Sequence, residues 1–362
     1  MLIRSIAAVF VLLFVYLLAW PVPIDPVAWN PPRDRGLVDP FAVNNQLAAA
    51  TAIDLGHCSK PEDAAEGSDG YIYVACEDGA IGRFDTENNS FEVFAQAGGR
   101  PLGLEFDRLG NLFVANAHLG LQLVTPGGEV RLLTDSVAGN KILFADDVAV
   151  AADGIVYFTD ASSKFGPTET EDPMAASVLD IMEHAGNGRV LRFDPANGQT
   201  SVVMRGLSFA NGIAISADEN FLLVNETGEY RIWRYWLRGD RAGASDVILD
   251  NLPGFPDNIN NGLQGRFWVG LVSPRNPLLD DLGPRPFLRK VIMRLPDFMV
   301  PADALTSHVI AIGGDGEVLM SLQDPAGGFP LLTGVLETSD SLYLTNLFDN
   351  RFGRLAKTDL FQ

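Results

Sequence analysis

The sequence has few basic residues. Across 362 residues, 26 lysines and arginines stand against 46 aspartates and glutamates, which gives a formal net charge of −20. Nucleic-acid binding requires a clustered basic surface that neutralises phosphates, so this composition argues against nucleic acid as a partner. The charge is compatible with cation binding, although an acidic surface that only keeps the protein soluble would explain it equally well.

The motifs of several enzyme classes are missing from the sequence. It contains no G-x-S-x-G nucleophile motif, no H-E-x-x-H zinc motif, no C-x-x-C pair and no phosphate-binding P-loop. Its four histidines show no metal-ligand spacing. His118 follows a strand and is kept as a candidate acid–base residue, although most such histidines lie at the surface or in caps.

Cysteine is scarce as well, since Cys58 and Cys76 are the whole complement. In a domain exported to an oxidising compartment, the two could form one disulfide that closes a short loop. Two buried free thiols are the alternative for a chain that stays in the cytoplasm. The N-terminus indicates export, which favours the disulfide.

Residues 1–20 are predicted to be a transmembrane signal anchor. Arg4 precedes an apolar run from Ile6 to Trp20, a length between that of a signal peptide and that of a full span. Leu17 and Ala19 make a poor cleavage site, which favours a retained anchor over a cleaved signal. Arg4 would keep the N-terminus cytoplasmic, with the rest of this single-pass protein on the periplasmic, lumenal or extracellular side.

Six short apolar patterns recur after the anchor, whereas no long helical pattern does. Each follows a turn rich in Gly, Asp, Asn or Ser, and β-branched and aromatic residues dominate them. The six are YIYVA from Tyr71, NLFVA from Asn111, IVYFT from Ile155, FLLVN from Phe221, RFWVG from Arg266 and SLYLT from Ser341.

The spacing of these patterns is typical of four-stranded blades repeated around a channel. The sequence therefore predicts an all-β fold, a six-bladed β-propeller over residues 48–362. A β-sandwich is the alternative, but it would not require six equivalent units. Residues 21–47, rich in proline and polar groups, are predicted to link the membrane to the propeller. Residues 48–55 could supply the strand that closes the ring.

A shared offset places polar residues at equivalent points of the blades. Counting back ten residues from the second residue of each pattern, or eleven in blade four, gives Glu62, Leu102, Asp146, Asn211, Asp257 and Leu332. These positions lie on the preceding strand, the innermost of each blade, so the four polar side chains should meet at the central axis. Buried polar groups are costly unless water or a cation satisfies them.

Oxygen ligands without cysteine or histidine suit a hard cation, and a wide, flexible ring suits Ca²⁺ better than Mg²⁺. The sequence thus predicts a Ca²⁺ site, with another divalent cation as the alternative, formed by Glu62, Asp146, Asn211 and Asp257. The simpler explanation is that Asp and Asn often begin turns. That explanation accounts for the composition but not for one shared offset.

FANGIA from Phe209 and PGFPDNI from Pro253 are the most specific of several segments that carry a family resemblance. They resemble the strictosidine synthase-like proteins, especially the branch of the adipocyte plasma membrane-associated proteins. More distantly, the sequence is similar to paraoxonases and gluconolactonases. The resemblance implies a six-bladed propeller, and it implies a metal site with Glu62, Asn211 and the pair Asp257–Asn258, in which Asn258 supports the ligands.

Two residues, Asp146 and Glu337, bear on the function that this resemblance implies. Asp146 stands where the calcium-dependent members have asparagine; a third carboxylate should tighten cation binding but reduce the Lewis acidity of the metal. Glu337 in GVLETSD matches the glutamate that strictosidine synthase uses in its last blade. The retained metal ring favours hydrolysis over the amine–aldehyde condensation of that enzyme.

The predicted function is therefore calcium-dependent hydrolysis of a small ester or lactone, with Asp257 or Glu337 as the general base on a water molecule. A carboxylate beside a cation has a lowered pKa, which makes Glu337 the better base if it lies farther from the metal. Two alternatives remain open: a carbon–nitrogen bond-forming enzyme or lyase, and a non-catalytic ectodomain that binds partners through its loops.

Overall fold

The computed structural model describes residues 2–167, 172–296, 299 and 305–360, and for residues 2, 3 and 7–9 it describes the backbone alone. Met1 of the predicted anchor lies outside this range. So do residues 168–171, 297, 298, 300–304, 361 and 362 of the predicted propeller. Within it, twenty-six strands form six four-stranded antiparallel sheets and one short hairpin.

The strands follow one another through the sheets in chain order. Sheet one contains β2 (Ala64–Glu66), β3 (Tyr71–Ala75), β4 (Ala80–Asp85) and β5 (Ser90–Gln96); sheet two contains β6 (Pro101–Phe106), β7 (Leu112–Asn116), β8 (Gly120–Val124) and β9 (Val130–Thr134); the hairpin is β10 (Ser136–Val137) and β11 (Asn140–Lys141). Sheet three contains β12 (Ala145–Val150), β13 (Val156–Asp160), β14 (Gly188–Asp194) and β15 (Gln199–Leu207); sheet four contains β16 (Ala210–Ile215), β17 (Phe221–Glu226), β18 (Arg231–Trp236) and β19 (Ser245–Leu249). Sheet five contains β20 (Gly254–Asn261), β21 (Phe267–Pro274), β22 (Ser307–Ile312) and β23 (Val318–Asp324); sheet six contains β24 (Leu332–Glu337), β25 (Ser341–Asn346), β26 (Arg351–Ala356) and β1 (Thr51–Asp54).

The six apolar patterns occupy equivalent strands. They lie in β3, β7, β13, β17, β21 and β25, each of which is the second strand of its sheet. The first strand of every sheet contacts the first strand of the next, and β24 contacts β2, so the ring of inner strands is closed. The predicted six-bladed propeller is confirmed.

The ring closes through the N-terminal strand. β1 pairs antiparallel with β26, with Thr51 opposite Arg354, and so completes sheet six from the other end of the chain. Just beyond β1, Cys58 forms a disulfide with Cys76 at the end of β3, with the two Cα atoms 4.9 Å apart. The disulfide predicted for an exported domain joins these two cysteines, and the separation lies within the usual range for a disulfide.

Hydrophobic clusters fill the space between neighbouring sheets. Ile72 and Phe84 of sheet one pack against Tyr343 and Phe352 of sheet six, and the rings of Phe84 and Phe352 meet edge to face with centroids 5.4 Å apart. Because each sheet is covered on both faces, its inner strands read as continuous apolar runs rather than as alternating patterns.

The described residues also contain helices. They are α1 (Leu2–Ala19), α2 (Pro173–Glu183), α3 (Pro277–Leu282), α4 (Pro286–Ile292) and α5 (Lys357–Leu360). The expectation of no long helix beyond the N-terminus is wrong for α2, which spans eleven residues. Asp172 accepts a hydrogen bond from the Met174 amide and Pro173 occupies the first turn, an N-terminal signal present in the sequence.

Residues 21–47, predicted to be a linker, pack against the propeller. The backbone amides of Val27 and Trp29 donate to the carbonyls of Glu183 and Gly283, at 2.8 and 3.0 Å. The indole of Trp29 stacks on the His184 ring with centroids 4.2 Å apart. The segment therefore fastens the end of α2 to the region of α3 and α4.

Helix α1 ends against the propeller, where Arg294 donates hydrogen bonds to the carbonyls of Leu17 and Trp20 at 2.9 and 2.6 Å. In the portion of the chain described here, no helix combines the length and the hydropathy needed to cross a membrane. The predicted transmembrane anchor is thus not supported by the structure.

Candidate functional site

A β-bulge interrupts the innermost strand of sheets two to six at the same height. In sheet three, for example, Ala145 pairs with Asp160 and Val148 with Phe158, so one extra residue lies on the inner strand. Bulges redirect side chains and are frequent beside active sites. The first bulge residues are Leu102, Asp146, Asn211, Asp257 and Thr333. Glu62 holds the corresponding place at the start of sheet one.

In sheet six, the offset used on the sequence selects a residue one position too early. The true equivalent is Thr333 rather than Leu332, because the turn between Glu337 and its partner Leu342 is one residue shorter than the corresponding turn of sheet one. The Thr333 hydroxyl donates to the backbone carbonyl of Glu62. The equivalent positions of the six sheets form a ring of side chains around the axis. Thr333 is a fifth polar member of this ring, which the sequence did not reveal.

The residues that follow the ring lock neighbouring sheets together. Asp63 accepts a hydrogen bond from the Leu104 amide of the next sheet at 2.8 Å, and Asp147 accepts one from the Ile213 amide at 2.7 Å. Glycine alternates with these side chains; a Cβ atom on Gly103 would come within 2.3 Å of the Asp147 carboxylate. This close packing between neighbouring inner strands fixes the position of the ring of side chains along the axis.

A cavity of about 280 Å³ opens over the ring. Its floor carries Glu62, Asp146, Asn211 and Asp257, which are each at most 6% exposed. Its walls come from the aromatic side chains of neighbouring sheets and from one face of α2. The structure thus brings all four predicted ligands to a single cavity.

Two asparagines orient carboxylates at the floor. Asn211 Nδ2 donates to Asp257 Oδ1 at 2.7 Å, and Asn258 Nδ2 donates to Glu62 Oε1 at 3.0 Å. Glu62 Oε2 and the amide oxygens of Asn211 and Asn258 are buried and have no hydrogen-bond partner in the described residues. Unpaired buried oxygens are costly. Glu62 and Asn211 line the cavity, so their two unpaired oxygens indicate a place for a ligand.

The carboxylates of the floor are held in unfavourable electrostatic surroundings. Burial raises the pKa of Glu62 well above its usual range, and the charges of Asp257 and Asp146 raise it further. Burial and the charge of Asp257 do the same to the pKa of Asp146. The pKa of Asp257 is raised to about 7 by burial, although the hydrogen bond from Asn211 opposes that shift. A cation at the floor would relieve this repulsion.

A buried arginine stands close to this cluster, and sequence patterns did not single it out. Arg100 is 4% exposed; its Nη2 donates to the carbonyl of Lys60 at 3.0 Å, while its Nη1 has no partner among the described residues. Its charge partly offsets the raised pKa of Glu62. His118 lies nearby, and burial followed by the charge of Arg100 lowers its pKa.

The residues at the floor are chemically suited to a hard cation. Three carboxylates and an unpaired amide oxygen are the ligand types that Ca²⁺ prefers. Within the described residues, however, no group of three or more His, Cys, Asp or Glu side chains is arranged to hold a metal ion. The predicted calcium ring therefore stays a prediction, with the correct residue types gathered but not closed around one point.

Glu337 does not join this site. It lies at the far end of β24, four residues and roughly 13 Å along the strand from Thr333, and does not line the cavity. Burial would raise its pKa, but hydrogen bonds from Lys357 and Trp268 and the charge of Arg266 lower it instead. A carboxylate so firmly ion-paired is a poor base, so the predicted catalytic role of Glu337 is not supported by its position.

Comparison with known proteins gives matches over most of the chain. Residues 146–240 match the strictosidine synthase family model, and residues 39–84 match the model of the strictosidine synthase-like N-terminal region. The adipocyte plasma membrane-associated protein of Bos taurus is 34% identical over 86% of this chain and 78% of its own length. The chain belongs to the strictosidine synthase-like family.

Another relative agrees with this assignment, and two solved structures share the fold. The protein STRICTOSIDINE SYNTHASE-LIKE 13 of Arabidopsis thaliana is 35% identical over 69% of this chain, which spans 62% of that relative's length. A gluconolactonase of Xanthomonas campestris superposes with a TM-score of 0.62 over 93% of this chain and 99% of its own, at 18% identity. Regucalcin of Agrobacterium tumefaciens, a calcium-binding protein, gives a TM-score of 0.56 over 85% and 93%, at 13% identity. These structures share the fold of this strictosidine synthase-like chain.

Proposed function

We propose that this chain hydrolyses small esters or lactones in the cavity, with Ca²⁺ held at the floor by Glu62, Asp146, Asn211 and Asp257. The observation that carries the proposal is a set of three carboxylates that face one cavity and whose pKa values are all raised by burial; the charge of Asp257 raises the pKa of the other two further. Buried charges are retained where a counter-ion balances them, and Arg100 supplies one positive charge for three negative ones. The names gluconolactonase and calcium-binding protein, borne by structures of the same fold, support this choice.

The residues of the chain divide the work of hydrolysis. Asp257, oriented by Asn211, takes a proton from water; the hydroxide attacks the carbonyl carbon, the ester C–O bond breaks, and the proton passes to the departing alkoxide. Asn258 keeps Glu62 turned towards the floor. The apolar walls limit the access of other water molecules. When bound, Ca²⁺ would polarise the carbonyl and stabilise negative charge on its oxygen.

The two other functions predicted from the sequence are less well supported. Carbon–nitrogen bond formation would use the glutamate matched by Glu337, which is ion-paired to Lys357 at 2.6 Å outside the cavity. A non-catalytic binding domain would not need three repelling carboxylates beneath an open cavity.

The test uses the full chain, purified in a calcium chelator. Isothermal titration with CaCl₂ measures cation binding, and hydrolysis of phenyl acetate and γ-butyrolactone is followed with and without Ca²⁺. The Asp257→Asn variant is expected to lower hydrolysis by at least about 100-fold, since it removes a base and a ligand charge together. It should also weaken Ca²⁺ binding by about tenfold or more.

Two control variants complete the design. Asp315→Asn changes an exposed turn carboxylate that accepts a local backbone hydrogen bond, and Glu337→Gln changes the carboxylate outside the cavity. Both should keep Ca²⁺ binding and hydrolysis within about twofold of the unchanged chain. Full hydrolysis in the chelator, or an unimpaired Asp257→Asn variant, would overturn the mechanism. Cation binding without any hydrolysis would favour the non-catalytic domain.

We also propose that the chain associates with a membrane through its N-terminus. Large apolar side chains of α1 are exposed, among them Phe10 at 66% and Leu12 at 68%. The name plasma membrane-associated protein, carried by several relatives, supports this proposal. Flotation of the full chain with phosphatidylcholine vesicles should succeed, and a Phe10→Ser, Leu12→Ser variant should remain in the soluble fraction. Equal flotation of the two proteins would contradict the proposal.

A further inference from the structure

We infer that the substrate carries an extended alkyl or aryl group, and that Met174 and Val178 of α2 select its length. The inference rests on the proposed function for the reacting end of the substrate and concerns the opposite end. It is drawn from the walls of the cavity rather than from its floor.

One face of α2 forms a wall of the cavity. Met174, Val178, Ile181 and Met182 all line it, at a spacing that places them on the same side of a helix. Met174 and Val178 remain 40% and 45% exposed, so they lie where the cavity meets solvent. Apolar side chains left exposed at the mouth of a cavity are covered when an apolar group enters it.

Aromatic side chains continue the apolar surface towards the floor. Phe144 and Phe209 meet edge to face with ring centroids 5.3 Å apart, and both line the cavity together with Phe255. A guest passing from the mouth to the carboxylates would therefore contact carbon atoms along most of its length. Such a path suits an alkyl chain or a phenyl ring.

Above the floor, the described lining carries four polar side chains, those of Ser177, Thr227, Ser273 and Asn276. Among the described lining residues, all charged side chains lie at the floor. The hydroxyls of Ser177 and Thr227 donate to the carbonyls of Met174 and Pro256, at 2.8 and 2.7 Å. A sugar lactone would lose its hydrogen bonds to water without full replacement, which is costly in a buried site.

The size of the cavity limits what fits below the mouth. The cavity offers a volume of about 280 Å³. A five-membered lactone with a short alkyl chain, such as γ-octanolactone, fills that space. Longer chains would extend along Met174 and Val178 into solvent.

Hydrolysis of a homologous series tests the inference directly. Between γ-butyrolactone and γ-octanolactone, kcat/KM should rise about fourfold for each added methylene, and then level off for γ-dodecanolactone. D-Glucono-δ-lactone should be slower than γ-octanolactone by on the order of 100-fold.

Binding of alcohols provides a second readout that needs neither turnover nor a cation. Isothermal titration of the full chain in chelator with 1-butanol, 1-hexanol and 1-octanol should give a Kd that falls about fourfold per methylene. The variants Val178→Thr and Met174→Gln keep the side-chain size and should reduce that factor to about twofold between 1-hexanol and 1-octanol and for the last methylenes added up to γ-octanolactone. Val93→Thr, on the exposed outer strand β5, is the matched control and should keep the full slope.

The outcomes separate the inference from the proposed function. Hydrolysis that favours D-glucono-δ-lactone, or that ignores chain length in the unchanged chain, would overturn the inference and leave hydrolysis established. Chain-dependent binding of alcohols without any hydrolysis would support the apolar pocket and overturn the proposed activity. An unaltered slope in both α2 variants would remove Met174 and Val178 as the selecting residues.

Discussion

Replacing Asp146 by asparagine should stabilise the cation-free protein and at the same time weaken its stabilisation by Ca²⁺. Asp146 is 3% exposed, and its pKa is raised by burial and then by the charges of Asp257 and Asp160. The asparagine keeps an oxygen ligand of similar size but removes the charge. The two effects have opposite signs, so one variant tests both the repulsion and the cation site.

The expected magnitudes follow from the surroundings of this residue. Removing a buried like charge should add about 1–2 kcal/mol to the free energy of unfolding without the cation. If losing one ligand charge weakens Ca²⁺ binding about tenfold, the free energy of unfolding that saturating Ca²⁺ adds falls by about 1.4 kcal/mol. The entropy of unfolding is roughly 0.7 kcal/mol per kelvin for a propeller of this size, so this loss lowers the Ca²⁺-induced shift in Tm by about 2 °C.

The pH dependence gives the prediction a further check. A carboxyl whose pKa is raised on folding destabilises the native state at high pH, and this penalty disappears once the group is protonated in both states. The advantage of Asp146→Asn in chelator should therefore be largest near pH 8 and shrink towards pH 4. Scanning calorimetry in chelator and in excess CaCl₂, at both pH values, measures the stability without the cation, the shift in Tm caused by Ca²⁺ and the pH dependence of the variant's advantage.

The control for this experiment is Asp153→Asn, an exposed turn residue of the same sheet whose side chain accepts a hydrogen bond from the Ile155 amide. It should change neither the Tm in chelator nor the shift caused by Ca²⁺. Two results together would refute the view that the floor carries mutually repelling carboxylates that bind a cation. They are a loss of stability of Asp146→Asn in chelator and an unreduced shift in Tm by Ca²⁺.

Three further predictions concern stability alone. Burial, aided by Glu183, raises the pKa of Asp180 to about 6, so Asp180→Asn should stabilise the fold by about 2 kcal/mol at pH 8 and by little near pH 4. Burial lowers the pKa of His308 to about 4, so stability should fall as the pH drops from 6.5 towards 4, and less steeply in His308→Gln. Replacing Cys58 and Cys76 by alanine should cost about 3 kcal/mol, because the disulfide closes a loop with a sequence separation of 18.

Denaturant titrations across pH measure the first two effects, and one titration under non-reducing conditions measures the third. A pH-independent difference for Asp180→Asn would contradict the raised pKa. An acid sensitivity of His308→Gln equal to that of the unchanged chain would show that another group controls it. Equal midpoints with and without the disulfide would mean that it adds no stability.

The sequence by itself determined the repeat and therefore the fold. The patterns such as YIYVA from Tyr71 and SLYLT from Ser341 are local signals, because a strand covered on both faces must be apolar along its whole length. Turn residues between them fix where each strand begins. The same local spacing placed Glu62, Asp146, Asn211 and Asp257 at one height, and all four line the cavity.

The tertiary structure decided what a fixed offset could not. Thr333 replaces Leu332 in the ring because a turn in sheet six is one residue shorter, a difference visible only in the strand pairing. Glu337 matched a catalytic position in sequence, but its strand carries it to the opposite end, beside Lys357. The walls of the cavity come from α2, between β13 and β14, and from aromatic side chains of several sheets. Contacts between residues so distant in the chain leave no local pattern, since they depend on how the six sheets close around one axis.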